Sequence, residues 1–90
     1  MMRNKSMNHL SIIEKVEKAL KQVSVDLDKL VQLRKNHDLS ISHVSASIGY
    51  KTPTGYWLIE KGERKVSVQI LFHLASLYGV TMESLLKTED

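Results

Sequence analysis

Residues 41–62 read ISHVSASIGYKTPTGYWLIEKG, and this stretch predicts two short helices joined by a tight connection. Ser40 is a candidate N-cap for the first helix, because its hydroxyl can accept a hydrogen bond from an otherwise unpaired backbone N–H. Gly49 suits the left-handed position that ends a helix. Thr52-Pro53 repeats the start signal, since a proline in the first turn loses only a donor that has no helical partner. A second glycine closes the stretch.

Helices this short are not stable alone in water, because nucleation is costly and few residues propagate the helix. They must therefore pack on each other and on neighbouring elements. A helix, a sharp turn and a second helix of this length are typical of the helix-turn-helix unit, whose second helix enters the DNA major groove in proteins that bind DNA.

The composition indicates one small intracellular domain. Ninety residues with 42% hydrophobic content allow a single core, and the absence of cysteine excludes disulfides and thiolate metal sites. No apolar run is long enough for a membrane span or a signal peptide, so we expect a soluble, cytoplasmic protein with no membrane partner. The net charge of +3 is compatible with a polyanionic partner, but many solvated helical surfaces carry as much.

The N-terminal part of the chain predicts an amphipathic helix. Ser11 and Glu14 have the spacing of a capping box at its start. Ser24 or Asp26 could cap a fresh helix and so break this one in two. Apolar residues recur at alternating steps of three and four and form a heptad-like seam: Ile13, Val16, Leu20, Val23, Leu27 and Leu30. The seam either packs on the protein's own core or pairs with a second subunit.

The remaining sequence also indicates helices. One is expected over Leu27 to Lys35, a second from the cap Ser67 to Gly79, and a last short one after the cap Thr81. Strand signals are nearly absent, so the predicted class is all-α. The predicted core comprises Leu30, Leu33, Val44, Ile48, Ile59, Leu71, Leu74 and Leu85.

Residues 27–86 resemble the Cro/repressor-type (XRE-like) helix-turn-helix family of phage and bacterial regulators. The likeness is carried by Leu30-x-x-Leu33-Arg34, Leu39-Ser40, Ile48-Gly49, Ile59-Glu60-Lys61-Gly62 followed by Arg64-Lys65, Leu71-x-x-Leu74-Ala75-x-x-Tyr78-Gly79-Val80, and Leu85-Leu86. The resemblance implies a five-helix lambda-repressor-like domain over residues 25–87, preceded by a tail and an additional amphipathic helix over residues 1–24. It also implies a transcriptional repressor that binds a palindromic operator in double-stranded DNA as a homodimer.

The sequence departs from the family at three places. Ile41 stands where the family has a glutamine that reaches a phosphate, and Ser45 stands where it has alanine. The turn carries about one extra residue, at Thr52-Pro53. For the homodimer, the available surfaces are the N-terminal seam and a C-terminal helix around Met82 and Leu86.

The resemblance implies which residues contact DNA. The turn and the exposed face of the second helix supply Lys51, Thr52, Thr54, Gly55, Trp57 and Leu58, with Tyr56 and Ile59 turned inward. Trp57 and Leu58 are unusual at a DNA surface: apolar groups can contact a thymine methyl, but burial of Trp57, with Tyr56 exposed to a phosphate instead, is an equal alternative. The basic residues Lys61, Arg64 and Lys65 would clamp the flanking backbone, while Glu60 pairs with Arg34 inside the domain.

Other function classes have little support. The sequence lacks a Gly-x-Ser-x-Gly elbow, a Walker loop and a His-Glu-x-x-His motif, so we do not expect an enzyme. The histidines show no ligand spacing, and neither a metal, a cofactor nor a small-molecule ligand is predicted: they are His9, His37, His43 and His73. The alternative from a different class is a protein-binding module, such as an antitoxin or antirepressor, that uses Trp57, Leu58 and the seam as partner surfaces.

Overall fold

The computed structural model describes residues 12–16 and 23–88, and this part of the chain is mostly helical. Residues 12–16 are helical. The elements that follow are β1 (Val23–Val25), α1 (Leu27–Asn36), α2 (Ile41–Ser47), α3 (Thr54–Glu60), α4 (Val68–Tyr78), a 3-10 helix (Glu83–Leu85) and β2 (Leu86–Thr88). The predominantly helical character predicted from the sequence is confirmed, whereas the strictly all-α prediction is wrong because of the two strands.

Side-chain caps begin α1, α2 and α4, and a similar bond precedes the 3-10 helix; in each, the side chain accepts from a backbone N–H three residues along the chain. Asp26 caps Lys29 (3.1 Å), Ser40 caps His43 (3.0 Å), Ser67 caps Ile70 (3.1 Å) and Thr81 caps Ser84 (3.2 Å). These bonds satisfy donors that have no partner within the helix. The predicted helix caps Ser40 and Ser67 are confirmed, and Asp26, one of the two residues considered, caps α1.

The two strands pair antiparallel and join the ends of residues 23–88, with Val23 opposite Thr88 and Val25 opposite Leu86. Leu86 has extended backbone angles, φ −108° and ψ 152°, because its ladder partner fixes it as a strand residue. The predicted C-terminal helix is therefore wrong beyond the single 3-10 turn, and no helix around Met82 is available for dimerisation.

The N-terminal seam was predicted to run along helices from Ile13 to Leu30, and this prediction is wrong at Val23. Val23 belongs to the strand β1, so its extended backbone cannot continue a helix into α1. The pairing places residues 23–24, which the sequence assigned to the N-terminal segment, beside the C-terminal strand. Leu20 of the seam and Ser11 of the capping box lie outside the described residues.

The core forms where α1, α2, α3 and α4 meet the 3-10 helix. Its buried apolar residues are Leu30, Val44, Ile48, Tyr56, Ile59, Leu71, Leu74, Ala75, Tyr78 and Leu85. Leu33 packs against this cluster but is only partly buried, while the rest of the predicted core is confirmed. Tyr56 and Tyr78 are both buried in this core. A buried tyrosine requires a hydrogen-bond partner for its hydroxyl.

Candidate nucleic-acid interface

The helices α2 and α3, with the turn between them, form the α2–α3 unit (residues 41–60). The two helices pack against each other, and α3 also packs against α1. Gly49 turns the chain with a φ of 98°, a backbone region that residues with a Cβ rarely adopt. The backbone N–H of Tyr50 then donates to the carbonyl of Ser45 at 3.0 Å. Because the turn is hydrogen-bonded to α2, the start of α3 is held in a defined place.

Ser45 of α2 connects the turn to α3. Its Oγ donates to the carbonyl of Thr52 at 2.6 Å and accepts from the backbone N–H of Tyr56 at 3.2 Å. The helix α3 has no side-chain cap of its own, so the prediction of Thr52 as its N-cap is wrong. Ser45 takes that role from the neighbouring helix. A serine on the buried face of a helix needs a hydrogen-bond partner, and that signal could have identified its role.

Replacing Ser45 with alanine is expected to destabilise the protein by about 1–3 kcal/mol, because the buried N–H of Tyr56 and the carbonyl of Thr52 lose a partner. The free energy of unfolding in urea measures this loss. Ser47→Ala is the matched control, since the exposed Ser47 hydroxyl only bonds the carbonyl of His43 in its own helix, and its effect should stay within about 0.5 kcal/mol. Equal losses in the two variants would contradict the bridging role.

Gly55 lies in the first turn of α3 and is buried beneath the ring of Tyr50. A Cβ at position 55 would overlap the ring carbons of Tyr50, so glycine is required by this contact. The prediction that Gly55 allows the backbone to approach DNA is therefore wrong. The sequence analysis did not predict that Tyr50 packs on α3. The signal that could have indicated this contact is a glycine early in a helix, after an aromatic residue in the preceding turn.

Tyr56 is fully buried, and its hydroxyl lies 3.1 Å from the hydroxyl of Tyr78. Burial raises the pKa of Tyr56 far above its ordinary value and also raises the pKa of Tyr78, so both side chains remain neutral at physiological pH. The inclusion of Tyr56 among the candidate DNA contacts is therefore wrong. Of the two arrangements considered for the aromatic pair, the structure has Trp57 facing outward.

The opposite side of α3 presents an outer face made of Thr54, Trp57, Leu58 and Lys61. These residues are spaced by three and four, which aligns side chains on one face of a helix. Trp57 is 41% exposed, and the Nζ of Lys61 lies 4.9 Å from the centroid of its ring. Thr54 and Lys61 are exposed, and Leu58 is partly buried. The outer face is thus apolar at its centre and basic at its C-terminal end.

Four exposed basic side chains, in the turn before α3, at its C-terminal end and in the loop after it, form the basic rim: Lys51, Lys61, Arg64 and Lys65. Thr52 is exposed beside Lys51 in the turn. The guanidinium carbon of Arg64 lies 5.1 Å from the centroid of the Tyr50 ring. Since that ring also packs on Gly55, the contact holds Arg64 near the start of α3. The structure therefore brings Arg64 of the loop close to the first turn of α3.

Glu60 forms the ion pair with Arg34 that was predicted for it. The Nε and Nη2 atoms of Arg34 donate to the two carboxylate oxygens at 2.7 Å and 3.2 Å, and Nη1 donates to the carbonyl of Leu39 at 3.2 Å. The hydrogen bond to Glu60 raises the pKa of Arg34 above its ordinary value. Because the pair is largely buried, the acidic charge of Glu60 is neutralised within the domain.

Comparison of the chain with protein-family models finds no match, and no curated protein matches it either. In the segments that the structure describes, no helix has the length and apolar character needed to cross a bilayer. The function must therefore be inferred from the α2–α3 unit, the outer face and the basic rim.

Proposed function

We propose that the protein is a sequence-specific DNA-binding regulator of transcription, in which α3 inserts its outer face into the major groove. The observation that supports this most directly is an exposed helix face with exposed basic side chains in the segments just before and after it. A major groove accommodates an α-helix, and lysine and arginine side chains contact the phosphates on either side. This arrangement corresponds to the function implied by the resemblance to the Cro/repressor-type family.

The charges near α3 favour a polyanionic partner over an uncharged one. Residues 51–65 contain four basic and two acidic side chains. Of the two acids, Glu60 is neutralised by Arg34, so Glu63 alone adds exposed negative charge to this segment. Phosphates approaching the outer face would therefore meet a surface with net positive charge.

We further propose that the regulator acts as a homodimer on a palindromic operator and represses transcription by occupying it. A recognition helix of this length contacts too few base pairs to select one site among many competing genomic sites. Two half-sites with centres about 34 Å apart would place both subunits on one face of the duplex. Ile12, Ile13 and Val16 are 59%, 42% and 52% exposed, and this N-terminal apolar surface would join the subunits.

Selection of bound sequences from a random pool of duplex DNA tests the proposed function. We expect an enriched inverted repeat, whose symmetry would reveal the dimer and whose half-site spacing would give its geometry. A pool that shows no enrichment at moderate salt would overturn both the sequence specificity and the operator.

Two variants test how the contacts are divided. Thr54→Ala is expected to relax the preference at one or two base positions, since Thr54 begins the outer face. Lys65→Ala should instead weaken binding to all sequences about equally and lower the salt slope by about 1, because one phosphate contact and its released counterion are lost. Affinity measured on the enriched duplex and on scrambled duplexes at several salt concentrations gives both results. Identical losses on every duplex for both variants would contradict this division.

A protein-binding module, such as an antitoxin or antirepressor, is the second candidate. It is favoured by Val68 and Phe72, which lie one turn apart on α4 and are 76% and 55% exposed. Apolar side chains grouped on a surface are common at protein interfaces. Salt dependence distinguishes the two functions, because affinity for DNA falls steeply with added salt, whereas contact through an apolar surface does not.

A further inference from the structure

The outer face of α3 carries few of the side chains that most often identify bases by hydrogen bonding. Arginine or lysine recognises guanine, and asparagine or glutamine recognises adenine, through paired hydrogen bonds in the major groove. Residues 51–61 contain no arginine, asparagine or glutamine, and of their two lysines, Lys51 lies in the turn and the Nζ of Lys61 lies over the Trp57 ring. The one acid in this segment that could accept from cytosine, Glu60, is engaged by Arg34 through both carboxylate oxygens.

The same face offers apolar groups at the position where a base would be contacted. Trp57 lies at its centre with 41% of its surface exposed, and Leu58 lies beside it, partly exposed. Thr54 stands one turn earlier and carries a methyl group as well as its hydroxyl. In the major groove, the distinctive apolar feature of the bases is the 5-methyl group of thymine.

Lys61 helps to fix the orientation of the Trp57 indole. Its Nζ lies 4.9 Å from the ring centroid, within the range of a cation–π contact. The indole is therefore held in place by a positive charge that phosphates also attract. The basic rim supplies the charge complementarity that would bring this apolar face against a duplex.

We infer that Trp57 is a specificity-determining residue and that the outer face of α3 recognises thymine through its 5-methyl group. The inference rests on the proposed function, because it concerns the same face in the same groove. It adds that discrimination between bases is mainly apolar, and that operator half-sites contain thymine at positions that face Trp57.

Deoxyuridine tests the inference directly, since uracil lacks the 5-methyl group of thymine but keeps all of its hydrogen-bonding groups. The probe is the duplex enriched from the random pool, together with copies in which each thymine in turn is replaced by uracil. At one or two positions in each half-site, the replacement should weaken binding of the unmodified protein about four-fold, the effect of losing one buried methyl-sized group. With Trp57→Ala, the thymine and uracil duplexes should bind equally.

Two further variants make the result specific. Trp57→Phe keeps an apolar ring and should retain part of the discrimination. Phe72→Ala removes an exposed aromatic side chain outside the α2–α3 unit and should retain all of it. Thermal unfolding of Trp57→Ala should remain close to that of the unmodified protein, since the residue is not in the core.

The possible failures are distinguishable. An enriched duplex that binds equally well after every uracil replacement, or full discrimination by Trp57→Ala, would overturn the inference and leave the proposed function standing. An enriched site without thymine in its half-sites would also overturn the inference and leave the proposed function standing. A pool without any enriched duplex would overturn the proposed function and the inference together.

Discussion

Replacing Leu74 with alanine is expected to unfold a large fraction of the protein at physiological temperature. Leu74 lies in α4, is fully buried and belongs to the central cluster. Loss of a buried leucine side chain costs about 2–5 kcal/mol, because its transfer free energy is lost and a cavity remains. Small domains have only about 5–15 kcal/mol of stability, and one of this size is expected near the lower end.

Urea and thermal unfolding, followed by circular dichroism, measure the loss directly. DNA affinity should fall with the folded fraction, although Leu74 is not on the outer face of α3. Val68→Ala is the matched control, because Val68 lies on the same helix and is 76% exposed; its effect should stay within about 0.5 kcal/mol. A Leu74 variant as stable as the control would show that α4 does not bury this face.

Replacing Glu60 with alanine is expected to cost about 3 kcal/mol, the lower end of the range for breaking a buried ion pair. The side chains of Arg34 and Glu60 are 14% and 8% exposed, so the guanidinium would be left without its partner in a poorly solvated place. The pair also joins α1 to α3, and its loss should loosen the packing of α3 against α1.

A double-mutant comparison separates the pair from its individual side chains. Arg34→Met combined with Glu60→Leu should recover much of the stability lost in Glu60→Ala, because no uncompensated charge stays buried. Glu63→Ala serves as the control for losing an exposed glutamate and should change stability little. If the single and double replacements were equally destabilising, the ion pair would not be the source of the effect.

The DNA affinity of the single variant Arg34→Met, compared with that of the double variant, tests whether the ion pair also matters for DNA binding. The single replacement leaves the carboxylate of Glu60 without its ion-pair partner, so the negative charge of Glu60 is no longer neutralised within the domain. Affinity for the enriched duplex should therefore fall more than in the double variant, once the two are compared at equal folded fraction. Equal affinities would show that neutralisation of Glu60 has no part in DNA binding.

Much of the local structure was determined by the sequence itself. The helix caps Ser40 and Ser67 were predicted correctly, and so was the helix end at Gly79, where φ is 66°. Each depends on a bond between residues three or four apart or on the conformation of one residue, so a short window of sequence contains the whole cause. The buried apolar positions followed from helical spacing for the same reason.

The candidate site was predictable only in part. Helical spacing and the resemblance placed Trp57 and Thr54 on the second helix, and the resemblance suggested that Glu60 pairs with Arg34. The structure, however, buries Gly55 beneath Tyr50 of the turn, and it decides between the two alternatives for the aromatic pair by burying Tyr56 against Tyr78.

Tertiary structure decided the features that join distant segments. The pairing of Val25 with Leu86 involves strands of three residues, which are too short to show an alternating pattern, and it converts the end of a predicted helix into extended chain. Ser45 caps α3 from α2, and Tyr50 packs on Gly55, only after the turn brings them together. These contacts depend on the path of the whole chain. The residues in each contact become neighbours when the elements pack together, and their positions in the sequence do not by themselves place them in contact.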